Sequence, residues 1–243
     1  MVSKTETARY GLARVISKRG LASRSVAAAW VASGRVRVDG RCVRDAEAPT
    51  PLDARIEIDQ LVAVAAVPIY LALNKPRGLI TSTQDEQGRA TIYACLQGQN
   101  LPWVAPVGRL DKASEGLLLL SNDPVWAAAI TDPEHKLRKV YHVQMRPLPT
   151  DADVAALLAG VVVTPGETAL HAAAVRRLRQ GEKSAWLEIV LDQGRNRQIR
   201  RMLQALGLSV ERLLRVAIGP VTLGELGKGQ VRHLTPDEVA ALR

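Results

Sequence analysis

A short polar loop between two apolar runs contains the carboxylate best placed to do chemistry. The loop is Arg109-Leu110-Asp111-Lys112-Ala113-Ser114-Glu115. Asp111 is flanked by Arg109 and Lys112, and nearby cations favour the ionised form of a carboxyl group. Loops held by a rigid scaffold often carry catalytic groups, although the same residues would also suit a surface loop of ion pairs.

Glu115 offers a second carboxylate at the end of the same loop. Hydrolysis of a glycosidic bond normally needs two carboxyl groups, an acid and a partner across the sugar. No other feature of the sequence fixes Glu115 in such a role. We therefore expect it to have a structural or hydrogen-bonding role.

Two further segments carry cations that could meet a polyanion. Asn74-Lys75-Pro76-Arg77-Gly78 follows an apolar run, and taken alone it predicts a turn with a cation at a strand end. Between Gly194 and Gly207, helical spacing puts the apolar residues on one stripe. The arginines on the other side are either a solvated face or a row of phosphate ligands, and Arg200 lies nearest the apolar boundary. They are Arg197, Arg200 and Arg201.

Composition narrows the class of protein. A net charge of +9 and a pI near 10 favour a polyanionic partner, although a GC-rich genome would also enrich arginine. Aromatic residues total 3%, too few for an aromatic platform that stacks single strands. Two cysteines and four scattered histidines predict no disulfide framework and no metal site. With no apolar run long enough to span a bilayer and no signal peptide, we expect a cytoplasmic protein.

The first 57 residues predict a small basic module. They carry eleven basic and six acidic residues, a net charge of +5. Helical spacing over residues 10–18 and a second helix from Ser23 precede an alternating segment, residues 35–43, around Asp39-Gly40, which is typical of a hairpin. Residues 55–58 alternate again and predict a third strand. The basic residues suit either nucleic-acid binding or the solvated face of a stabilising cap.

The rest of the chain predicts an α+β domain, because strands and helices are interspersed without regular βαβ units. Residues 60–68 predict a linker. The predicted strands are Ile69–Leu73, Val104–Val107, Leu117–Leu120, Tyr141–Met145 and Ala185–Leu191. The predicted helices are Pro124–Thr131, Asp151–Leu158, Asn196–Leu206 and Pro236–Leu242.

Four motifs in order along the chain resemble those of the pseudouridine synthases that modify ribosomal RNA. They are the Lys75–Gly78 turn, the Gly108–Asp123 loop and strand, Lys139-Val140-Tyr141, and Gly194–Met202. Residues 9–58 resemble the small RNA-binding domain named after ribosomal protein four of the small subunit. Together the two resemblances cover nearly the whole chain.

The resemblance implies a role for each matching residue. Asp111 matches the essential aspartate, and the family leaves open whether it attacks the sugar, attacks the base or assists deprotonation. Tyr141 matches the tyrosine that stacks on the target uracil. Arg200 matches the basic residue that pairs with the aspartate. Arg109 resembles the residue that fills the gap left by the flipped base, and Ile199 resembles apolar packing around the site.

The sequence as a whole predicts an rRNA pseudouridine synthase with a mixed, mainly antiparallel catalytic sheet flanked by helices. We expect an RNA-binding domain at 1–58, a linker at 59–68 and a catalytic domain at 69–243. Catalysis is assigned to Asp111, Tyr141 and Arg200. The expected RNA-binding residues are Arg109, Lys75, Ile199, Arg197, Arg201, Arg24 and Arg35.

The prediction extends to partners. We expect a monomer that needs no cofactor or metal and acts on ribosomal RNA or a pre-ribosomal particle, with large-subunit RNA favoured over small-subunit RNA. One alternative is a silent RNA-binding assembly factor that keeps the fold, which the presence of Asp111, Tyr141 and Arg200 disfavours. Another is a DNA-binding regulator, but two N-terminal helices do not account for the later motifs.

Overall fold

The computed structural model describes residues 9–59, 67–82 and 87–242, which divide into two units. One contains the described residues up to Tyr70 together with Gly98–Ala105 and Leu120–Val125. The other contains Leu71–Gln97, Pro106–Leu119 and Trp126–Arg243. The predicted linker lies mostly outside the described residues, and the predicted domain limits stay a prediction.

The N-terminal part of the first unit has the predicted helices, hairpin and third strand. Ser23 caps the second helix, because its side-chain oxygen accepts a hydrogen bond of 3.2 Å from the Val26 amide. Asp39 and Gly40 have φ of +49° and +80°, as a tight primed hairpin turn requires. The elements are β1 Arg9–Gly11, α1 Leu12–Lys18, α2 Arg24–Ala32, β2 Val36–Val38, β3 Arg41–Cys42, β4 Pro49–Pro51 and β5 Ile56–Ile58.

A nine-stranded sheet, most of whose residues belong to the second unit, has the main path β10-β11-β9-β12-β8-β6-β14. The strand pairs β10–β11, β11–β9 and β9–β12 are antiparallel, whereas β12 and β8 pair in parallel. The strands are β6 Tyr70–Lys75, β7 Ala105–Val107, β8 Glu115–Ser121, β9 Lys139–Arg146, β10 Ala174–Gln180, β11 Ala185–Leu191, β12 Ser209–Ile218, β13 Val221–Thr222 and β14 Val231–His233. The helices are α3 Pro124–Thr131, α4 Asp151–Ala159, α5 Gln198–Ala205 and α6 Pro236–Ala241. The α+β, mainly antiparallel prediction is confirmed.

One hydrophobic cluster of this unit lies between the sheet and the helices α4 and α5. Side chains alternate between the two faces of a strand, so alternate residues of β9 and β11 join this cluster, and β12 contributes Val210 and Leu213 across a shift in its register. Among the buried residues of this cluster are Val143, Leu187, Leu157 and Met202. The intervening residues of the same strands are mostly half-buried, which is consistent with a sheet face that packs less tightly.

Several elements agree closely with the sequence prediction, and others were not predicted. The bounds of β11 and α3 are as predicted, and α5 begins two residues later than expected. Strand β10 was missed because arginines occupy both of its faces, which hides the alternation of a strand. Strand β12 was missed because two irregularities in its pairing with β9 break the period of two.

Gly116 lies where two strands approach closely. Its φ is +101°, and a Cβ built on it would lie 2.3 Å from the carbonyl oxygen of Arg215 and 2.9 Å from its amide nitrogen. Both contacts are with backbone atoms of β12, which cannot swing away as the end of a side chain can. Glycine therefore permits the parallel pairing of β8 with β12 directly after the Asp111 loop.

We expect Gly116→Ala to lower the free energy of unfolding by about 2–4 kcal/mol, because the new methyl group must push two strands apart. Guanidinium unfolding of the variant measures this. Gly181→Ala is the matched control, since its Cβ would lie 3.6 Å from its nearest neighbour. Equal unfolding midpoints for Gly116→Ala and the native protein would contradict the close approach.

Candidate active site

A buried ammonium group fixes the backbone of the loop that carries Asp111. Lys75 ends β6 and its side chain has no solvent exposure. Its Nζ donates hydrogen bonds to the carbonyl oxygens of Ser114 at 2.9 Å, Pro76 at 3.1 Å and Asp111 at 3.2 Å. The three donors of the ammonium thus meet three carbonyls, which offsets much of the cost of burying the charge.

Two other contacts hold the same loop. The amide of Gly78 donates to the carbonyl of Lys112 at 2.7 Å, which joins the turn after β6 to the residue after Asp111. The hydroxyl of Thr81 donates to the carbonyl of Leu110 at 2.7 Å. The backbone on each side of Asp111 is therefore fixed by partners distant in sequence.

The burial of Lys75 corrects one sequence expectation. Lys75 was expected to contact RNA, but a side chain with no exposed surface cannot bind a phosphate. Arg77 is the exposed cation of the same turn. The sequence alone did not single out Arg77, because a Lys-Pro-Arg-Gly turn does not indicate which of its two cations faces solvent.

Two arginines at the start of α5 lie close to the Asp111 carboxylate. The Nη1 atom of Arg197 lies 3.5 Å from Oδ2 of Asp111, and this is the ion pair that Asp111 forms in the described residues. Arg200, one turn along, instead donates from Nη2 to the carbonyl of Ala113 at 3.1 Å. The expectation that Arg200 pairs with Asp111 is therefore corrected, since Arg197 makes that contact.

Arg197 contacts Asp111 in place of Arg200 because of the backbone conformation of Arg197. Its φ of +49° is in the left-handed region, which disfavours arginine. The next residue, Gln198, is buried and anchors this conformation on both sides: its side-chain oxygen accepts from the Arg195 amide at 3.3 Å, and its nitrogen donates to the His171 carbonyl at 3.0 Å. No sequence pattern indicated Gln198, whose role depends on a distant carbonyl.

Arg200 also interacts electrostatically with the charged groups of this site. Burial lowers the pKa of Arg200, the positive charges of Arg197 and Arg77 lower it further, and the carboxylate of Asp111 acts in the opposite sense. Its Nε atom is buried and has no hydrogen-bond acceptor among the described residues. Arg200 therefore keeps an unused donor beside the loop.

Tyr141 lies in the sheet two strands away from the strand that follows the Asp111 loop. On β9 it is opposite Arg215 of β12, and Arg215 is in turn opposite Gly116 of β8. Tyr141 is half-buried and packs against the core cluster that includes Ile199 of α5. The sheet register thus brings the tyrosine to the same face as α5.

Glu115 points to the opposite face of the sheet. Its carboxylate is 3% exposed and bonds Nε of Arg212 at 2.9 Å and Nζ of Lys228 at 3.3 Å. Burial raises the pKa of Glu115, but the hydrogen bonds and charges of Arg212 and Lys228 outweigh burial and hold this pKa below its usual range. Glu115 is committed to these cations, in agreement with the expected structural role.

A lateral row of side chains continues from Glu115 across this face. Arg212 of β12 is opposite Gln144 of β9, which is opposite Trp186 of β11, which is opposite Arg179 of β10. The guanidinium carbons of Arg179 and Arg212 lie 4.7 Å and 5.6 Å from the centre of the Trp186 ring. The indole thus takes part in two cation–π contacts.

The remaining predicted residues of the second unit divide between surface and core. Arg109 is exposed, Ile199 is 3% exposed within the core, and Arg201 forms an ion pair of 3.0 Å with Glu167. RNA binding by Arg109 and Arg201 stays a prediction, whereas the expected RNA contact of Ile199 is corrected because its side chain is buried in the core.

In the first unit, Arg24 and Arg35 already have protein partners. Arg24 forms an exposed ion pair of 2.9 Å with Glu47. Arg35 lies 5.7 Å from the centre of the Trp30 ring and donates to the Asp59 carbonyl at 3.3 Å. Both contacts leave the guanidinium partly open, and RNA binding by either residue stays a prediction.

The described residues contain no cluster of three or more side chains suited to hold a metal ion. In the same part of the chain, every helix is too short or too polar to cross a membrane.

The burial of Lys75 makes the stability of the folded protein depend on pH. Burial lowers the pKa of Lys75 to about 8, from its ordinary value of 10.5, although Asp111 acts to raise it. Between these two pH values the unfolded chain binds more protons than the folded one, so stability rises with pH. Lys75→Met removes this group.

We therefore expect the native protein to gain about 1–2 kcal/mol of unfolding free energy relative to Lys75→Met between about pH 7.5 and 9.5. Guanidinium unfolding at both pH values measures the difference. Lys183→Met, which changes an exposed lysine, should follow the native protein. Parallel pH curves for native protein and Lys75→Met would contradict a desolvated ammonium at this position.

The chain was compared with protein families and with known proteins. Residues 69–205 match the RNA pseudouridylate synthase family, and residues 11–49 match the S4 domain. The chain is 34% identical to the ribosomal large subunit pseudouridine synthase B of Bacillus subtilis, covering 96% of this chain and 95% of that protein. It is also 34% identical to an uncharacterised RNA pseudouridine synthase of Mycobacterium tuberculosis, covering 95% and 92%.

A solved structure agrees. A crystal structure of a pseudouridylate synthase superposes with a TM-score of 0.68 and 27% sequence identity, over 97% of this chain and 100% of that one. The resemblance therefore extends through both the S4 domain and the sheet that carries Asp111. The chain belongs to the RNA pseudouridylate synthase family and is an RNA-modifying isomerase with an S4 domain near its N-terminus.

Proposed function

We propose that this isomerase converts a uridine of large-subunit ribosomal RNA to pseudouridine, with Asp111 as the catalytic residue. The observation that carries the proposal is a carboxylate on a backbone fixed by Lys75, with Arg197 at 3.5 Å and Arg200 in the adjacent turn of α5. Such surroundings hold a carboxylate in one orientation, which a nucleophile or a general base requires.

The reaction balances without any external reagent. The N1–C1′ bond of the uridine breaks, a C5–C1′ bond forms, C5 gives up a proton and N1 gains one. No electron leaves or enters, so the chain's own groups need only hold the nucleoside and move a proton. Asp111 is the proposed partner of the sugar or the base, and the proton from C5 passes to a group in the site.

Tyr141 is the proposed platform for the uracil. A base inside an RNA stack cannot be reached, so the target nucleotide must be extruded at a cost of a few kcal/mol. Stacking of one base on an aromatic ring contributes about 1–3 kcal/mol. Tyr141 is half-buried on the α5 face of the sheet, which suits a ring that offers one side to a base.

Arg200 and Arg109 have distinct proposed roles. Arg200 orients the catalytic loop through its bond to the Ala113 carbonyl, and its guanidinium interacts electrostatically with the carboxylate of Asp111. Arg109 is exposed two residues before Asp111, where it can occupy the space that an extruded base leaves in the RNA. Both proposals follow the family resemblance at these positions.

Two lines of support favour ribosomal RNA as the substrate. The Bacillus subtilis relative is described as acting on the large ribosomal subunit, and it matches this chain nearly end to end. The S4 domain supplies a second, basic RNA-binding module, and structured RNA is recognised largely by shape and by its 2′-hydroxyl groups. We also propose that the enzyme acts as a monomer in the cytoplasm.

Mapping of pseudouridine in ribosomal RNA from cells with and without the gene tests the substrate. The loss of one site in large-subunit RNA is the expected outcome. The loss of a site in small-subunit RNA would replace the proposed substrate, and unchanged maps of both RNAs would refute ribosomal RNA as the target.

We expect Asp111→Asn to abolish formation of pseudouridine and to leave RNA affinity nearly intact, because it removes the carboxylate without changing the basic surface. Mass spectrometry of the RNA and a filter-binding assay measure the two quantities. Asp237→Asn, which changes an exposed aspartate at the start of α6, should retain full activity. Turnover by Asp111→Asn would show that another group does the chemistry.

RNA affinity should fall steeply as salt increases, because arginine contacts release counterions from the RNA phosphates. If about six phosphates are contacted, the affinity should fall by a factor of about 10³ between 50 mM and 200 mM salt. A titration of affinity against salt concentration gives the slope. An affinity that does not change with salt would remove the basic residues from the binding mechanism.

A further inference from the structure

The turn after β6 and the start of α5 place more positive than negative charge beside the catalytic loop. The groups that act on the charge of Arg200 are Arg197, Arg77 and the carboxylate of Asp111. Arg197 pairs with Asp111 at 3.5 Å, and Gly78, the residue after Arg77, bonds the Lys112 carbonyl, so both guanidinium groups are attached beside the catalytic loop. Such a surplus of cations on a partly exposed surface attracts an anion.

The backbone next to Arg77 is fixed at this position, whereas the Arg77 side chain is exposed and can bind a ligand. Its turn is tied to the catalytic loop by the 2.7 Å hydrogen bond between the Gly78 amide and the Lys112 carbonyl. The side chain is exposed and donates from Nη1 to the backbone carbonyl of Glu211 at 3.3 Å. The carboxylate of Glu211 pairs with Arg146 at 2.7 Å, so Arg77 keeps donors for another acceptor.

The contact of Arg197 with Asp111 is loose. Its 3.5 Å separation exceeds the 2.7–2.9 Å of a close charge-assisted hydrogen bond, and half of the Arg197 side chain is exposed. Exposed ion pairs contribute little free energy. The left-handed backbone of Arg197 is nevertheless maintained by the buried Gln198, as conformations with a cost often are at functional sites.

We propose that Arg77 and Arg197 form a binding site for one RNA phosphodiester that adjoins the target uridine, and that this phosphate draws Arg197 away from Asp111. Arg200 stays bonded to the Ala113 carbonyl of the loop, and its Nε atom has no acceptor among the described residues. The inference rests on the proposed RNA substrate, which supplies one negative charge per nucleotide. It adds a specific ligand to Arg197 and assigns Arg77, which the sequence analysis did not select.

The planar fork of a guanidinium matches the oxygens of a phosphate, which lysine cannot reproduce. In this site Arg197 has two states. It neutralises Asp111 while no RNA is bound, and it binds phosphate when RNA enters. The exchange keeps the carboxylate paired in the free enzyme and releases it next to Arg200 when the substrate is present.

A cycle that combines protein variants with neutral RNA linkages tests the site. The two phosphates that flank the target uridine are replaced, one at a time, by uncharged methylphosphonates. We expect one replacement to lower kcat/KM of the native enzyme by about ten-fold, and to have under about two-fold effect in Arg77→Gln and in Arg197→Gln. The two variants should share the same sensitive phosphate.

Two kinds of control variant are needed. The first keeps the positive charge but removes the planar guanidinium, and the second removes a positive charge elsewhere on the protein. Arg77→Lys and Arg197→Lys keep the charge and should recover only part of the sensitivity to the methylphosphonate. Arg179→Gln removes an exposed arginine from the opposite face of the sheet and should retain the full ten-fold effect. The proposal would be overturned if each methylphosphonate lowered kcat/KM of Arg77→Gln and of Arg197→Gln as much as it lowers kcat/KM of the native enzyme.

A second measurement does not depend on the identity of the RNA. Inorganic phosphate should shift the Nε–Hε NMR signals of Arg77 and Arg197 in the native protein, and Arg77→Gln should weaken its apparent affinity by at least about three-fold. If no ribosomal uridine is converted, the proposed substrate fails while this titration still decides the site. Unmoved signals, or an unchanged affinity in Arg77→Gln, would refute the two-arginine site.

Discussion

The site depends on one buried ammonium group. A lysine with no exposed surface is costly to fold, and the three carbonyl oxygens around Nζ of Lys75 make it tolerable. Two of those carbonyls belong to the catalytic loop, so the loop cannot move without leaving a charge unsatisfied. The backbone at Asp111 is thus fixed, whereas the Arg77 side chain is exposed and half of the Arg197 side chain is exposed.

The sequence predicted some parts of this site and missed others. The apolar stripe through Ile199 and Met202 predicted which side of the helix carries the arginines, and the family resemblance associated Arg200 with Asp111. The burial of Lys75 and the pairing of Arg197 were not predicted. Both depend on contacts between residues more than thirty positions apart, which no local pattern contains.

The fold shows the same contrast. Segments with one consistent period, such as β11 and α3, were predicted with their full bounds. Strands β10 and β12 were missed, because arginine on both faces or a shifted register removes the alternation that marks a strand. Their place in the sheet is decided by neighbours. Each pairs along most of its length with a neighbouring strand, despite interruptions of the register.

The row of Arg179, Trp186, Gln144 and Arg212 takes one residue from each of four strands. A slip of a single residue in any of the three ladders would turn one member to the other side and separate the indole from a guanidinium. In a variant whose other three tryptophans are replaced, the fluorescence emission of Trp186 would therefore report whether these strands are correctly aligned. Refolding could be followed through it far from the chemistry, at the face where Glu115 begins the strand that leaves the catalytic loop.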